Sequence, residues 1–103
     1  VNHDQLVAEI QQRASARGLL SHYCQRSTIC KGSRGMPDLI IAGIHGVIFV
    51  EVKAIGQDPA PDQTTWIYTL RAGGQDAYVI RETDLSNGSL DDLLAKCAGT
   101  AGQ

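Results

Sequence analysis

Leu39-Ile40-Ile41-Ala42-Gly43-Ile44-His45-Gly46-Val47-Ile48-Phe49-Val50-Glu51-Val52-Lys53 is the densest β-forming stretch of the chain. Two runs rich in aliphatic and β-branched residues, Leu39 to Ile44 and Val47 to Ile55, are parted by His45-Gly46. A two-residue gap ending in glycine predicts a tight hairpin. Side chains alternate along a strand, so Phe49, Glu51 and Lys53 share one face while Ile48, Val50 and Val52 share the other. A carboxylate and an amine therefore interrupt a run otherwise fit for a central strand covered on both sides. Buried charges are costly unless they are paired or bind a metal. With His45-Gly46 as the turn, Ile44 lies opposite Val47, Ile40 opposite Glu51 and Asp38 opposite Lys53. Asp38, Glu51 and Lys53 then gather on one face, with the two acids as diagonal neighbours whose Cβ atoms sit about 7–8 Å apart or less. Carboxylates so placed can converge on one divalent ion, since Mg²⁺–O bonds are about 2.1 Å. A slip of one residue would break the assignment.

Outward from the hairpin, His3 to Arg17 reads as an amphipathic helix carrying Leu6, Val7, Ile10 and Ala14 at helical spacing and stopped by Gly18. Leu19 to Tyr23 reads as a strand. Gln25 to Gly35 is a polar loop with three basic residues, Arg26, Lys31 and Arg34. Pro37 suits the first position of the strand that follows, because proline cannot donate to a ladder. Pro61 suits a first helical position and opens a helix to about Ala72, with Trp66, Ile67 and Leu70 as its buried stripe. Ala77 to Arg81 is a further strand, joined to the central one through that helix and so parallel to it. Ser89 can cap a last helix, Leu90 to Cys97, with Asp91 and Asp92 in its first turn where the dipole favours them. The expectation is a single α/β domain over residues 1–103, a mixed four-stranded sheet flanked by helices, with a flexible tail from about residue 98.

Composition bounds the function. A chain of 103 residues supports one hydrophobic core, not two. No apolar run is long enough to cross a bilayer, so no membrane partner is expected, and no secretory signal is visible. Cys24, Cys30 and Cys97 form an odd set, which argues against a disulfide framework and for a reducing, cytoplasmic setting. His22, Cys24 and Cys30 lack the close paired spacing of a structural zinc site. The net charge of −2 does not advertise a nucleic-acid binder, but its distribution is uneven. Every charged residue between Ile10 and Pro37 is basic, whereas Asp76 to Asp92 is acidic but for Arg81. A polarised molecule can offer phosphates one basic flank. The same charges also suit a solvated loop.

Two clustered carboxylates with a lysine suit metal-assisted phosphodiester hydrolysis, in which the cation polarises the phosphate and makes hydroxide available at neutral pH. The same three residues also allow a plain Lys53–Asp38 ion pair with Glu51 at the solvent edge. Gly35-Met36-Pro37-Asp38, twelve residues, then Glu51-Val52-Lys53 resembles the signature of the PD-(D/E)XK nuclease superfamily. Gly32 to Leu39, Pro61-Asp62-Gln63 with Trp66, and Ala77 to Arg81 resemble its VRR-NUC branch, the virus-type replication and repair nucleases.

The resemblance implies a restriction-endonuclease-like αβββαβ core with a short C-terminal helix. It implies Asp38 and Glu51 as ligands of Mg²⁺, with Mn²⁺ as substitute, aided by the main-chain carbonyl of Val52. Lys53 becomes the catalytic lysine, Gln63 a group leaning over the site, and Glu9 a candidate further ligand, although a plain solvent-facing acid is the preferred reading there. Arg26, Lys31 and Arg34 are candidate phosphate contacts. Ala60 departs from the serine cap common in relatives. The function so implied is a DNA endonuclease, with branched or four-way junction DNA in phage or bacterial replication, recombination or repair as its candidate substrate. It would act as a homodimer, since paired cuts need two sites. A non-catalytic nucleic-acid-binding module on the same fold is the alternative. A nucleotide-binding α/β domain lacks support, because no glycine-rich phosphate loop follows a strand.

Overall fold

The computed structural model describes residues 1–24 and 31–99. The elements run α1 (His3–Ala16), β1 (Leu20–Tyr23), β2 (Leu39–Gly43), β3 (Gly46–Val52), α2 (Pro61–Ala72), β4 (Asp76–Ile80), α3 (Glu82–Ser86) and α4 (Ser89–Ala98). The four strands form one sheet in the order β1-β2-β3-β4. The pairs β1–β2 and β2–β3 are antiparallel and β3–β4 is parallel, so the sheet is mixed as expected.

The alternation read from the sequence places the core. Leu39, Ile41, Ile48, Val50, Val52 and Ile80 pack with Leu6, Val7, Ile10 and Ala14 of α1 and Leu90, Leu94 and Cys97 of α4. Ile67 of α2 and Ala77 of β4 are buried but stand outside that cluster. The β4 register puts Ala77 beside Phe49, on the face that also carries Glu51, so α2 covers this second face. Arg13 ties α1 to the C-terminal segment, donating to the Leu85 carbonyl and to Asp91 Oδ2.

The hairpin differs from expectation in an instructive way. Gly43 pairs with Gly46, so Ile44-His45 are the turn residues and the register is displaced by two. Ile40 faces Phe49, not Glu51. Continued one step beyond Leu39↔Val50, the same register sets Asp38 across from Glu51 instead of Lys53. A two-residue shift preserves the face of every side chain, so the acids stay on one side and come closer than the diagonal would bring them. The cause is tertiary. A Cβ at Gly43 would collide with the Cys97 carbonyl oxygen and the Leu19 side chain, and His45 N–H donates to that same carbonyl at 3.2 Å. The end of α4 docks against the hairpin tip, and any side chain at Gly43 would keep it away.

Other boundaries moved for local reasons. β1 begins at Leu20, β3 ends at Val52 without reaching Ile55, and β4 spans Asp76–Ile80. The short α3 was not expected. Asp84 Oδ2 accepts from Arg81 N–H and starts it. Ser89 lies inside α4, and the capping position falls to Gly88 at φ 87°. In α2 only Ile67 is fully buried; Trp66 and Leu70 are half-buried. Cys24 is disulfide-bonded, against the expectation that the three cysteines build no disulfide framework. An odd cysteine count bars complete pairing but not a single bond, and the cysteine argument for a reducing compartment goes with it. Cys97 is a buried free thiol, and Cys30 lies outside the described residues. Of the expected tail, Ala98 ends α4 and Gly99 caps it, while residues 100–103 lie outside the described residues. Among the described residues no helix is long and apolar enough to cross a membrane.

Candidate active site

Glu51 is 1% exposed, the sole buried charged side chain among the described residues. The solvent-edge placement that an ordinary surface acid would show is therefore ruled out. It projects from β3 on the face covered by α2, and the N-terminal turn of α2 closes over it. Gln63 Nε2 donates to Glu51 Oε2 at 3.0 Å, and Lys53 Nζ stands 3.4 Å from the same oxygen. The other oxygen, Oε1, is buried with no hydrogen-bond partner. A carboxylate so placed has lost its hydration without full compensation. Burial pushes its pKa from 4.5 to about 7, the Asp38 carboxylate adds to the rise, and Lys53 opposes it.

Asp38 sits where the chain enters β2. Its Oδ2 accepts from Val52 N–H at 2.9 Å, which fastens the carboxylate to β3. The same oxygen is 3.1 Å from His3 Nε2. Asp38 and Glu51 thus come from the two strands of one hairpin, and Lys53 follows two residues on along the Glu51 face.

The segment leading into Asp38 is fastened to α2. Trp66 Nε1–H donates to the Ser33 carbonyl at 3.2 Å. Gly35 has φ 94°, and a Cβ there would lie 2.5 Å from the carbonyl carbon and oxygen of Asp62 and 2.7 Å from Gln63 N. Glycine is required twice over at this position, by the backbone angle and by the close approach. With no serine at Ala60, the Gln63 N–H that such a cap would have bound goes to Asp62 Oδ1 at 2.8 Å, while Gln63 Oε1 accepts from Ala60 N–H at 2.8 Å. One side chain therefore caps α2 through its oxygen and holds Glu51 through its nitrogen.

Lys31 and Arg34 are exposed on this loop, and Arg26 lies outside the described residues. Glu9 is engaged elsewhere. Its Oε1 accepts from Arg13 Nε–H at 3.0 Å. Among the described residues no three His, Cys, Asp or Glu side chains already form a metal cage. The donor set at hand is two hard carboxylates, one with an unpartnered buried oxygen, which fits a hard divalent cation completed by water or phosphate oxygens. His22 stays exposed on edge strand β1.

Sequence reasoning missed His3. It begins α1, far from any motif, and only the crossing of α1 over the entrance to β2 brings it to Asp38. Tyr23 joins it, with ring centroids 6.4 Å apart, and burial together with the Asp4 and Asp38 carboxylates pushes the Tyr23 hydroxyl pKa up. No spacing rule in the sequence would have found either contact.

Residues 2–83 match the family model of the VRR-NUC domain. A phage protein provisionally named a nuclease, p44 of Acyrthosiphon pisum secondary endosymbiont phage 1, is 40% identical over 60 residues. That match takes in 57% of this chain and 64% of the relative, just under two thirds of its length. Among solved structures, a VRR-NUC domain superposes with TM-score 0.72 at 23% identity, covering 86% of this chain and 94% of that one. A second VRR-NUC domain protein gives 0.69 at 18% identity, covering 93% and 90%. Hjc of Archaeoglobus fulgidus, a Holliday junction resolvase, gives 0.58 at 17%, covering 76% and 65%. The structural likenesses establish a shared restriction-endonuclease-like fold.

Proposed function

Because this chain belongs to the VRR-NUC family of the PD-(D/E)XK nuclease superfamily, we propose that it is a divalent-metal-dependent endonuclease hydrolysing DNA phosphodiesters. The observation that carries the reading is the buried Glu51 carboxylate with an unpartnered oxygen, set across from Asp38. A fold that keeps such a pair in an otherwise apolar strand retains an electrostatic cost, which a divalent cation would relieve. In this reading Asp38 and Glu51, with the Val52 main-chain carbonyl, hold the cation, Mg²⁺ or its substitute Mn²⁺. A cation held there supplies charge neutralisation at the attacked phosphate and lowers the pKa of the attacking water. Lys53 orients that water and steadies the charge that develops on the phosphate. Gln63 fixes one Glu51 oxygen and leaves the other for the cation. Lys31 and Arg34 of the loop, and Arg26, take neighbouring backbone phosphates. Glu9 stays with Arg13 in this account.

The substrate class we favour is branched DNA, four-way junctions included, as in phage or bacterial replication, recombination or repair. The fold shared with a Holliday junction resolvase supports this by analogy. A domain with one such site cuts one strand at a time, so paired incisions call for a homodimer on the DNA. The cytoplasm of a bacterial or phage-infected cell is the corresponding setting.

The test is a cleavage panel of linear duplex, single strand, flap and four-way junction with Mg²⁺ or Mn²⁺. The expected result is metal-dependent nicking, fastest on branched substrates and stopped by chelator. Inert protein on every substrate would favour the non-catalytic binding module, and cutting that survives chelation would remove the cation from the account.

A further inference from the structure

The first turn of α1 is locked at both ends of its cap. Asn2 Oδ1 accepts from Gln5 N–H at 2.8 Å, and Gln5 Oε1 accepts from Asn2 N–H at 2.9 Å. Such a reciprocal box holds the backbone of the residues between, His3 among them. The imidazole is bounded on three sides. Nε2 is 3.1 Å from Asp38 Oδ2, Nδ1 is 3.7 Å from Asp4 Oδ1, and the ring tilts against Tyr23. With a side chain 42% exposed, His3 is no core residue, and helix α1 does not need its ring.

We propose that His3 is a positioning residue of the site, acting through Asp38. Its Nε2–H and the Val52 N–H reach the same carboxylate oxygen from different elements, α1 and β3. Two convergent donors fix the plane of the carboxylate and commit Oδ2 to the protein, which presents Oδ1 to a cation. Hydrogen-bond partners of this kind orient metal-ligating carboxylates, and their loss usually weakens metal binding about 10–100-fold. An imidazole can donate the bond as a neutral group. A lysine or arginine in its place would set a fixed positive charge beside the cation and compete with it.

The inference rests on the reading of Asp38 as a cation ligand, and the test separates the two. Mn²⁺ alone is titrated into the chain, with free ion counted by electron paramagnetic resonance, for wild type, His3→Leu, His3→Asn, His3→Gln and Asp38→Asn. Thermal unfolding in chelator is followed alongside. His3→Leu is expected to weaken Mn²⁺ binding about 10-fold with little change in the metal-free unfolding midpoint. His3→Asn, whose shorter amide falls short of Asp38, is expected to behave likewise and serves if the leucine variant does not fold. His3→Gln carries an amide donor at the reach of Nε2 and is expected to restore binding to within about 3-fold. Wild-type affinity in His3→Leu and His3→Asn, with Asp38→Asn impaired, would overturn the positioning role alone. Glutamine failing to rescue would overturn it too, and so would equal losses of metal-free stability in all three His3 variants. Wild-type affinity in Asp38→Asn would instead remove the premise.

Discussion

Glu51→Gln is expected to lower DNA cleavage by about 1,000-fold and, in the absence of metal, to make the protein more stable above neutral pH. The two effects share one cause. In the folded protein the Glu51 carboxyl titrates at about 7, whereas in an unfolded chain it returns to 4.5. Below 4.5 both states hold the proton and the site costs nothing. Between 4.5 and about 7 the unfolded chain has released a proton that the folded protein retains, so stability falls as pH rises through that window. Above it both states are ionised and the cost is complete. At about 1.4 kcal/mol per pKa unit, the difference amounts to about 3 kcal/mol. Glutamine does not titrate, and its amide can donate toward Asp38, so this decline is absent from the variant. Divalent cation is expected to restore wild-type stability at pH 8 and leave Glu51→Gln unchanged. Thermal unfolding between pH 4 and 8, with and without Mg²⁺, reads all of this. A wild type whose stability climbs through that window, or a variant that still cleaves, would refute the assignment.

The second large effect is expected at Gly35→Ala. A methyl group there meets main-chain atoms of Asp62 and Gln63 that cannot swing aside, and φ 94° is itself unfavourable for alanine. The loop must lift from the start of α2, loosening the Trp66–Ser33 and Gln63–Glu51 bonds together. We expect a loss of about 2–4 kcal/mol in stability from backbone strain and overpacking combined. Cleavage is expected to fall about 100-fold, as a displacement near 1 Å at a reacting site can cause. Gly74→Ala is the control. Its φ of 86° carries the same conformational penalty, but nothing lies within 4 Å of the added carbon. It is expected to cost about 1–2 kcal/mol and spare activity. If Gly35→Ala matches Gly74→Ala in both measurements, the wedge between loop and helix is not what shapes the site.

The face assignment of Asp38, Glu51 and Lys53 was legible in the sequence because it depends only on strand parity, which survives a shift of two. The register itself was not legible. Gly43 and Gly46 both suit a tight turn, and the choice between them is made by the end of α4, more than fifty residues away in the chain. Gln63 was legible as a residue in the first turn of a helix following β3, but its double engagement with Ala60 and Glu51 was not. Trp66 looked like core from its helical phase, whereas its indole N–H reaches sideways to hold the segment that leads to Asp38. His3 was invisible for a related reason. No local pattern records which strand end a helix will cross.

Diffraction at the manganese absorption edge, from crystals grown with Mn²⁺, addresses the central claim most directly. The account predicts an anomalous peak bonded at about 2.1–2.4 Å to an oxygen of Asp38 and to the Glu51 oxygen that has no partner in the metal-free fold. An empty site under saturating Mn²⁺, or a peak bonded to neither carboxylate, would contradict it.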